Sequence, residues 1–258
     1  MCICIKNERN VLNKIMKCGG EKNETAILLA AGLGTRMKPL TDKTAKPLVR
    51  IHGKPLIETV IEGLLYRGVS HIDVVTGYKK EQFFYLSDRY GRVSFIENKE
   101  YMEKNNISSM RAACRVLKEG KDCFICESDL YVSDRDVFKA ELKQSCYFGK
   151  MVQGYSNDWV LEQDQNGRII RIGKKGDSMF NMAGIAYFKS TDARRLAEFL
   201  EQAYEQKGHE KLFWDDVVNR HLKDLRLYVH EIQDKQVAEI DTLDELAALD
   251  LSYKQMIM

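Results

Sequence analysis

The fold is decided by one stretch of sequence, Ile27-Leu28-Leu29-Ala30-Ala31-Gly32-Leu33-Gly34-Thr35-Arg36-Met37, together with Lys46-Pro47-Leu48, which begins ten residues after Arg36. The apolar first half is typical of a buried parallel strand. A loop with two glycines, a hydroxyl and an arginine follows it. Glycines let backbone N–H groups approach an anion closely, and Arg and Lys neutralise its charge. The stretch therefore predicts a polyphosphate site where the first strand ends.

Two other phosphate-binding motifs are excluded. The dinucleotide fingerprint G-x-G-x-x-G requires a glycine at the position of Met37, and the P-loop pattern G-x-x-x-x-G-K-[ST] occurs nowhere in the sequence. The predicted phosphate site thus belongs to a different class of nucleotide-binding protein.

Composition sets the broad class. The 258 residues favour one large α/β domain, and a net charge of +2 gives no reason to expect a nucleic-acid or membrane partner. No run approaches the ~18 apolar residues of a membrane-spanning helix, and the first residues lack the apolar core of a secretion signal. Seven dispersed cysteines suit a reducing compartment, so we expect a cytoplasmic protein.

The sequence Cys123-Phe124-Ile125-Cys126 has the spacing of a redox or metal motif. It lies in a predicted buried strand, where positions i and i+3 point to opposite faces, so the two sulfurs diverge. No second Cys or His pair stands at zinc spacing. We expect unreactive core thiols.

Residues 1–24 differ from the rest and are expected to form an N-terminal extension. Val11, Leu12, Ile15 and Met16 could form one apolar helical stripe, ended by Gly19-Gly20. A frayed arm, an oligomer contact in a possible homodimer and the end of a lost upstream module all remain open.

Strands and helices alternate from Thr25 onward. This pattern predicts a largely parallel, Rossmann-like sheet covered by helices on both faces. The predicted strands are 25–31, 72–76, 93–96 and 123–127, and the predicted helices begin at Pro55 and span about 79–89 and 107–117.

The second half is richer in short strands. They are predicted at 147–153, 159–162, 168–172 and 183–188, with a hairpin turn at Asp164-Gln165-Asn166-Gly167. Helices at 191–206 and 212–222 follow, then strands at 225–231 and 237–240 and a helix from 242. We interpret residues 145–222 as a small β-rich acceptor-binding insertion within a domain of residues 25–258.

Two aspartates close predicted strands. Asp129 follows one strand, and Asp241 follows another after Glu239-Ile240. Ligands of open parallel sheets bind beyond the carboxyl ends of the strands, and paired carboxylates suit Mg²⁺ beside a triphosphate. Strand-end aspartates also form turns or cap helices, so this alternative remains open.

The stretch from Ile27 to Lys46-Pro47 resembles the signature of nucleotidyltransferases that make NDP-sugars and CDP-alcohols: a strand, then A-A-G-x-G-[ST]-R, then K-P. From about Thr25 to the last helix, the chain is similar to bacterial CTP:phosphocholine cytidylyltransferases. The similarity includes Val75-Thr76-Gly77-Tyr78, Asn105-Asn106-Ile107-x-Ser109, Asn157-Asp158-Trp159, Ala183-Gly184-Ile185-Ala186-Tyr187 and Trp214-Asp215.

This resemblance implies a nucleotide-diphospho-sugar transferase fold and a set of site residues. Arg36 and Lys46 would be catalytic, and Asp129 and Asp241 would bind Mg²⁺. The usual D-x-D is Glu127-Ser128-Asp129 here, so the first acid is altered. Nucleotide binding would involve Leu29, Ala30, Ala31, Gly32, Gly34, Thr35, Tyr78, Asn105, Asn106 and Ser109. Asn-Asn before a hydroxyl residue is also an ordinary helix start.

The chain has two tryptophans, and both stand beside acids. A quaternary ammonium group cannot donate a hydrogen bond, so proteins hold it with aromatic faces and a nearby negative charge. The resemblance implies that Trp159 and Trp214, with Asp215 and Tyr187, form an acceptor-binding cage. The alternative is that both tryptophans anchor a core.

The predicted reaction is transfer of CMP from CTP to phosphocholine, giving CDP-choline and pyrophosphate. The acceptor phosphate is already an anionic nucleophile, so no general base is required and the protein aligns it and neutralises charge. The alternatives keep the chemistry but use phosphoethanolamine, 2-aminoethylphosphonate or a sugar 1-phosphate as acceptor. A non-catalytic regulatory homologue is a further alternative.

Overall fold

The apolar run at Ile27–Ala30 forms the middle strand of a large sheet. The structure, a computed structural model, describes residues 20–256. Most of the predicted N-terminal extension, including Val11, Leu12, Ile15 and Met16, lies outside the described residues. The strands are β1 (Glu24–Ala30), β2 (Arg50–Ile51), β3 (Lys54–Pro55), β4 (His71–Thr76), β5 (Val93–Glu97), β6 (Asp122–Glu127), β7 (Leu130–Val132), β8 (Cys146–Met151), β9 (Tyr155–Gln163), β10 (Ile169–Asp177), β11 (Phe180–Phe188), β12 (Tyr228–Glu231) and β13 (Val237–Glu239).

Seven α-helices accompany these strands in residues 20–256, with short 3₁₀ turns between elements. They are α1 (Leu56–Arg67), α2 (Tyr85–Tyr90), α3 (Ile107–Ala112), α4 (Cys114–Leu117), α5 (Ser190–Tyr204), α6 (Trp214–Arg220) and α7 (Leu243–Leu249). α1 follows Pro55 and ends at Gly68, as its pattern predicts. Gly68 has φ 96°, and its N–H caps the carbonyls of Leu64 and Leu65.

The main sheet has nine strands, with the order β10-β9-β11-β6-β1-β4-β5 along its main path. β6, β1, β4 and β5 run parallel, and β11 joins β6 in antiparallel register, with Tyr187 opposite Phe124. β8 pairs with β11, and β12 pairs with β8. The mixed α/β architecture with a parallel centre confirms the predicted fold class.

Helices cover both faces of the sheet. α1 and α2 pack on one face with Leu28, Phe124 and Tyr187, whereas α3 to α6 pack on the other face with Ile27, Ile125 and Trp214. A third, smaller cluster joins Met37 of the glycine loop to Ile240 and Leu246. This cluster brings the segment holding Asp241 against the loop that follows β1.

The β-rich second half is continuous with the nucleotide half. β9 and β10 form the predicted hairpin, and its turn closes with the Gly167 N–H donating to the Asp164 carbonyl oxygen at 3.0 Å. The strands of the predicted insertion extend the main sheet through β11 instead of forming a separate sheet. The apolar run from Ile185 to Phe188 is fully buried, which explains why β11 lies inside the sheet.

Local details differ from the sequence pattern. The helix predicted at 107–117 is interrupted at Ala113 (φ −90°, ψ 1°), and the helix at 79–89 starts as a 3₁₀ turn over Lys80–Phe83. β7 is not apparent from the pattern, because it is three residues long and pairs only with β13. Within residues 20–256, no helix is both long and apolar enough to cross a membrane.

The prediction for the C-x-x-C motif is confirmed. Cys123 and Cys126 are fully buried free thiols that belong to clusters on opposite faces of the sheet. Burial raises the pKa of both thiols, so they stay protonated at neutral pH.

Candidate active site

A cavity opens at the carboxyl ends of β1 and β6, beside the glycine loop. Gly34 has φ 64°, and a Cβ there would lie 2.8 Å from the Lys46 Cβ, so only glycine fits against the returning lysine. Gly32 also lines the cavity, and a Cβ there would meet no protein atom within 4 Å. The missing side chain at Gly32 keeps cavity space open for a ligand.

Most predicted nucleotide-binding residues line this one cavity. The lining includes Leu29, Ala30, Ala31, Gly32, Gly34, Thr35, Asn105, Asn106 and Ser109, together with Arg36, Lys46, Asp129 and Asp241. Sequence reasoning missed four further lining residues, Leu33, Pro47, Glu127 and Ser128. Leu33, Pro47 and Ser128 are direct neighbours of predicted site residues in the sequence, and Glu127 lies two positions before Asp129.

Tyr78 is the predicted nucleotide-binding residue that does not line the cavity. Its backbone N–H donates to the Ala31 carbonyl oxygen at 3.1 Å, and its hydroxyl donates to the Thr41 carbonyl oxygen at 3.1 Å. Tyr78 therefore holds the backbone on both sides of the glycine loop from outside the cavity.

Lys46 joins the two predicted metal ligands. Its Nζ lies 2.6 Å from Asp129 Oδ2 and 2.6 Å from Asp241 Oδ1, and Arg36 also reaches Asp241 Oδ1 at 2.6 Å. Burial alone would lower the pKa of Lys46, but the charges and hydrogen bonds of Asp129 and Asp241 outweigh it and raise the pKa. Lys46 is therefore a permanent positive charge inside the cavity.

Three acids form a compact group beside Lys46. Asp129, Glu239 and Asp241 can place one oxygen each within 4.8 Å of one another. Loss of hydration and, after it, the negative charges of Asp129 and Asp241 raise the pKa of Glu239 to about 8. Part of the Glu239 residue is nevertheless exposed to solvent. Asp129 Oδ1 is buried and accepts no hydrogen bond. Hard carboxylate oxygens with one acceptor unused fit a divalent cation such as Mg²⁺.

Glu239 was not predicted as a site residue, although its spacing from Asp241 in the sequence is a signal for it. Side chains two positions apart in a strand point the same way, so Glu239 on β13 precedes Asp241 with the right period. The strand pairing places it near Asp129, because Glu239 lies opposite Leu130.

The asparagine loop is tied to the start of α6. The Asn106 Oδ1 atom accepts the backbone N–H of Trp214 at 3.0 Å, and Asn98 Nδ2 donates to the hydroxyls of Ser108 and Ser109 at 2.9 and 3.0 Å. Asn106 stands at the N-cap of α3, but its side chain makes no capping hydrogen bond there. The side chain instead links the cavity to the segment that holds Trp214.

Trp214 and Asp215 are buried beneath the cavity. Each is 4% exposed, and the Trp214 ring stacks on Tyr147 at 5.8 Å between centroids. The Tyr147 hydroxyl donates to Asp215 Oδ1 at 3.0 Å. Burial raises the pKa of Asp215 to about 7, and the Tyr147 hydrogen bond opposes this rise.

Trp159 is half-buried and faces a lysine. It packs edge-on against Phe213 at 5.4 Å between centroids, and Lys174 Nζ lies 5.9 Å from the Trp159 centroid and 5.6 Å from that of Phe213. The chain thus presents its own ammonium group to these two rings.

Tyr187 lies away from the other aromatic residues of the expected cage, and this corrects the expectation that it walls the acceptor site. It is 1% exposed and packs on the face opposite Trp214. Its hydroxyl donates to Asp122 Oδ2 at 2.8 Å, at the beginning of β6, whereas the cavity lies at the other end of that strand. The buried apolar pattern of β11 explains this position.

Comparison with known proteins places the chain in a family. Residues 26–215 match the MobA-like NTP transferase domain. The chain belongs to the MobA-like NTP transferase family. It is accordingly a nucleotidyltransferase.

Two curated relatives align over nearly their full lengths. The 2-aminoethylphosphonate cytidylyltransferase of Lancefieldella rimae is 50% identical over 242 residues, which cover 94% of this chain and 98% of that protein. The choline-phosphate cytidylyltransferase of Streptococcus pneumoniae is 32% identical over 225 residues, covering 87% and 96%.

The fold has a counterpart of known structure. The CTP:phosphocholine cytidylyltransferase of Streptococcus pneumoniae superposes with a TM-score of 0.80 at 31% identity, covering 90% of this chain and 99% of that one. The described fold is therefore of the nucleotide-diphospho-sugar transferase type.

Proposed function

We propose that this nucleotidyltransferase transfers CMP from CTP to 2-aminoethylphosphonate, giving the cytidylylated phosphonate and pyrophosphate. The observation that carries the proposal is the 50% identity, across 94% of the chain, with a cytidylyltransferase named for that acceptor. This favours one of the alternatives drawn from the sequence over phosphocholine.

The geometry of the acceptor side supports the same choice. A trimethylammonium group needs open aromatic faces, whereas a primary ammonium group donates hydrogen bonds to carboxylates. Trp214 is buried against Tyr147, Tyr187 lies on the other face of the sheet, and the Trp159 ring is already approached by Lys174.

Phosphocholine is the second candidate. The supporting observation is the likeness in sequence and structure to the pneumococcal phosphocholine enzyme, which is 31% identical in the structural alignment.

In the proposed mechanism, an acceptor oxygen forms a bond to the α-phosphorus of CTP, and the bond from that phosphorus to the β-phosphate oxygen breaks. The electron pair of that bond leaves with pyrophosphate. The backbone amides of Gly32 and Gly34, with the Thr35 hydroxyl, would cradle the phosphates. Arg36 would neutralise the departing pyrophosphate, because it lines the cavity and its side chain is 66% exposed.

Asp129 and Asp241 would hold Mg²⁺, with Glu239 as a third oxygen donor. When bound, the ion offsets negative charge on phosphate oxygens. Both aspartates now contact Lys46, so a cation between them would compete for the same oxygens. Lys46 would then be free to bridge the α-phosphate and the acceptor, which is the role we propose for it.

A pyrophosphate-release assay tests the proposal. CTP, UTP, GTP and ATP are each combined with 2-aminoethylphosphonate, phosphoethanolamine, phosphocholine and glucose 1-phosphate, with Mg²⁺ present. We expect the highest kcat/KM for CTP with 2-aminoethylphosphonate. A higher value for phosphocholine would transfer the assignment to the second candidate, and absence of turnover with every pair would support the non-catalytic alternative.

A further inference from the structure

The backbone around Lys46 is held differently on its two sides. After Lys46, the turn Lys46–Leu48 closes with hydrogen bonds of its own. The Leu48 N–H donates to the Ala45 carbonyl oxygen at 2.8 Å, and the Val49 N–H donates to the Lys46 carbonyl oxygen at 3.1 Å. Before it, Ala45 enters the turn in an extended conformation, with φ −56° and ψ 138°. The place of Lys46 therefore depends on what holds residues 43–45.

Gln82 holds that stretch from another part of the chain. It lies in the 3₁₀ turn Lys80–Phe83, which follows β4. Its Oε1 atom accepts the Ala45 N–H at 2.9 Å, and its Nε2 atom donates to the Lys43 carbonyl oxygen at 2.9 Å. One side-chain amide thus satisfies a donor and an acceptor two residues apart on the backbone that leads into Lys46.

The connection that contains Gln82 is itself anchored. Phe83, the next residue, is fully buried in the core on the α1 face of the sheet. Tyr78 belongs to the same connection, and its hydroxyl donates to the Thr41 carbonyl oxygen at 3.1 Å. The connection between β4 and α2 therefore holds the segment 41–45 near both of its ends.

This segment packs directly against the glycine loop. A Cβ at Gly34 would lie 2.8 Å from the Lys46 Cβ and 3.1 Å from the Thr41 Cγ2. Ala45 is 1% exposed, so without the Gln82 amide its N–H would lose this acceptor in a place that water reaches poorly. A shift that brings the N–H to water would also move Lys46 relative to the glycine loop.

We propose that Gln82 is a positioning residue for nucleotidyl transfer: its amide fixes residues 43–45 and thereby sets the place of the Lys46 ammonium group. This inference rests on the role proposed above for Lys46. Gln82 is not among the described residues that line the phosphate cavity, so it acts through Lys46 and not on the nucleotide. Displacing a reacting or catalytic group by about 1 Å can lower a rate about 100-fold.

The test replaces the hydrogen-bonding amide and keeps the length of the side chain. Wild type, Gln82→Met and the control Gln163→Met are assayed with radiolabelled CTP, 2-aminoethylphosphonate and Mg²⁺. Gln163 is also half-buried, and its Nε2 donates to the Gly167 carbonyl oxygen at 2.6 Å in the β9–β10 hairpin. We expect Gln82→Met to lower kcat about 10- to 100-fold and to change KM for CTP less than about 3-fold. Gln163→Met should keep the wild-type kcat.

A double-mutant cycle separates positioning from a purely structural role. If Gln82 acts through Lys46, Gln82→Met should lower kcat less than about 2-fold further in the Lys46→Ala background, because the group that it places is gone. The radiolabel keeps the slow Lys46→Ala variant measurable. The same proportional loss in both backgrounds, a wild-type kcat for Gln82→Met, or a rise in KM for CTP alone would overturn the inference.

Gln82→Glu is the second variant and serves if Gln82→Met does not fold. It keeps an oxygen acceptor for the Ala45 N–H and loses only the donor to the Lys43 carbonyl. We expect a smaller loss of kcat, which again disappears in the Lys46→Ala background; a wild-type kcat or an unchanged proportional loss would contradict the assignment. A wild type that turns over no acceptor would instead refute the proposed function, and a Lys46→Ala variant with the wild-type kcat would refute the role of Lys46.

Discussion

Replacing Asp129 by asparagine tests the centre of the proposed site. The change keeps the shape but removes the charge from a side chain whose Oδ2 lies 2.6 Å from Lys46 and whose Oδ1 is unpaired. We expect kcat to fall at least ~100-fold, equivalent to ~2.7 kcal/mol of activation free energy, because a charged metal ligand is lost. The saturating Mg²⁺ concentration should also rise.

Folding should change little, and the structure gives the reason. The substitution forfeits ~6 kcal/mol of attraction to Lys46 at 2.6 Å, at an effective dielectric constant of ~20. It also removes ~3 kcal/mol of repulsion from Asp241, taken at 4.8 Å, and a desolvation penalty of several kcal/mol. These contributions nearly cancel, so we expect the free energy of unfolding to change by no more than ~2 kcal/mol.

Steady-state pyrophosphate release, with Mg²⁺ titrated for each variant, measures the kinetic effect, and denaturant unfolding measures stability. Asp136→Asn is the control, since Asp136 is exposed and forms a surface ion pair with Lys139 at 3.2 Å. If Asp129 and Asp241 share one ion, the double variant Asp129→Asn/Asp241→Asn should lose less activity than the two single losses multiplied. Retention of more than about a third of kcat by Asp129→Asn would refute the metal-ligand role.

Three further outcomes are expected. Lys46→Ala should lower kcat more than it raises KM for CTP, because its charge acts on the transition state; a pure KM effect would leave Lys46 as a binding residue only. Trp214→Leu should lower the free energy of unfolding by ~2–4 kcal/mol in denaturant titrations, because the ring is buried on Tyr147; an unchanged midpoint would contradict its core position. Asp215→Asn should stabilise the protein by up to ~4 kcal/mol more at pH 8 than at pH 4. The folded carboxyl has a pKa of about 7, so wild-type stability falls between about pH 4 and pH 7, and parallel pH–stability curves would disprove this.

The phosphate loop was predictable because its signals are local. A strand must end where the glycines begin, and Gly34 is required by its own backbone angle and by the adjacent Lys46. The parallel centre of the sheet follows from alternating strands and helices, which the fold confirms. The residues near the glycine loop therefore reach the cavity that the sequence indicates, although their roles stay predictions.

The acceptor side was less predictable because it depends on which face each residue occupies. Both tryptophans stand beside acids in the sequence, but Trp214 stacks in the core and Trp159 meets Lys174 from the neighbouring strand. Tyr187 belongs to the same run as Gly184, yet its side chain joins the opposite core. A sequence pattern shows the alternation of side chains along a strand, but it does not show which strand pairs with it or which core each face joins.

The sequence by itself determined the fold class, the cavity-forming loop and the chemical type of most cavity residues, because short-range backbone and periodicity rules govern them. Only the tertiary structure decided that Glu239 joins Asp129 and Asp241. Glu239 and Asp241 lie 110 and 112 positions after Asp129 in the sequence. The pairing of β13 with β7 brings them together, and no local pattern encodes that pairing.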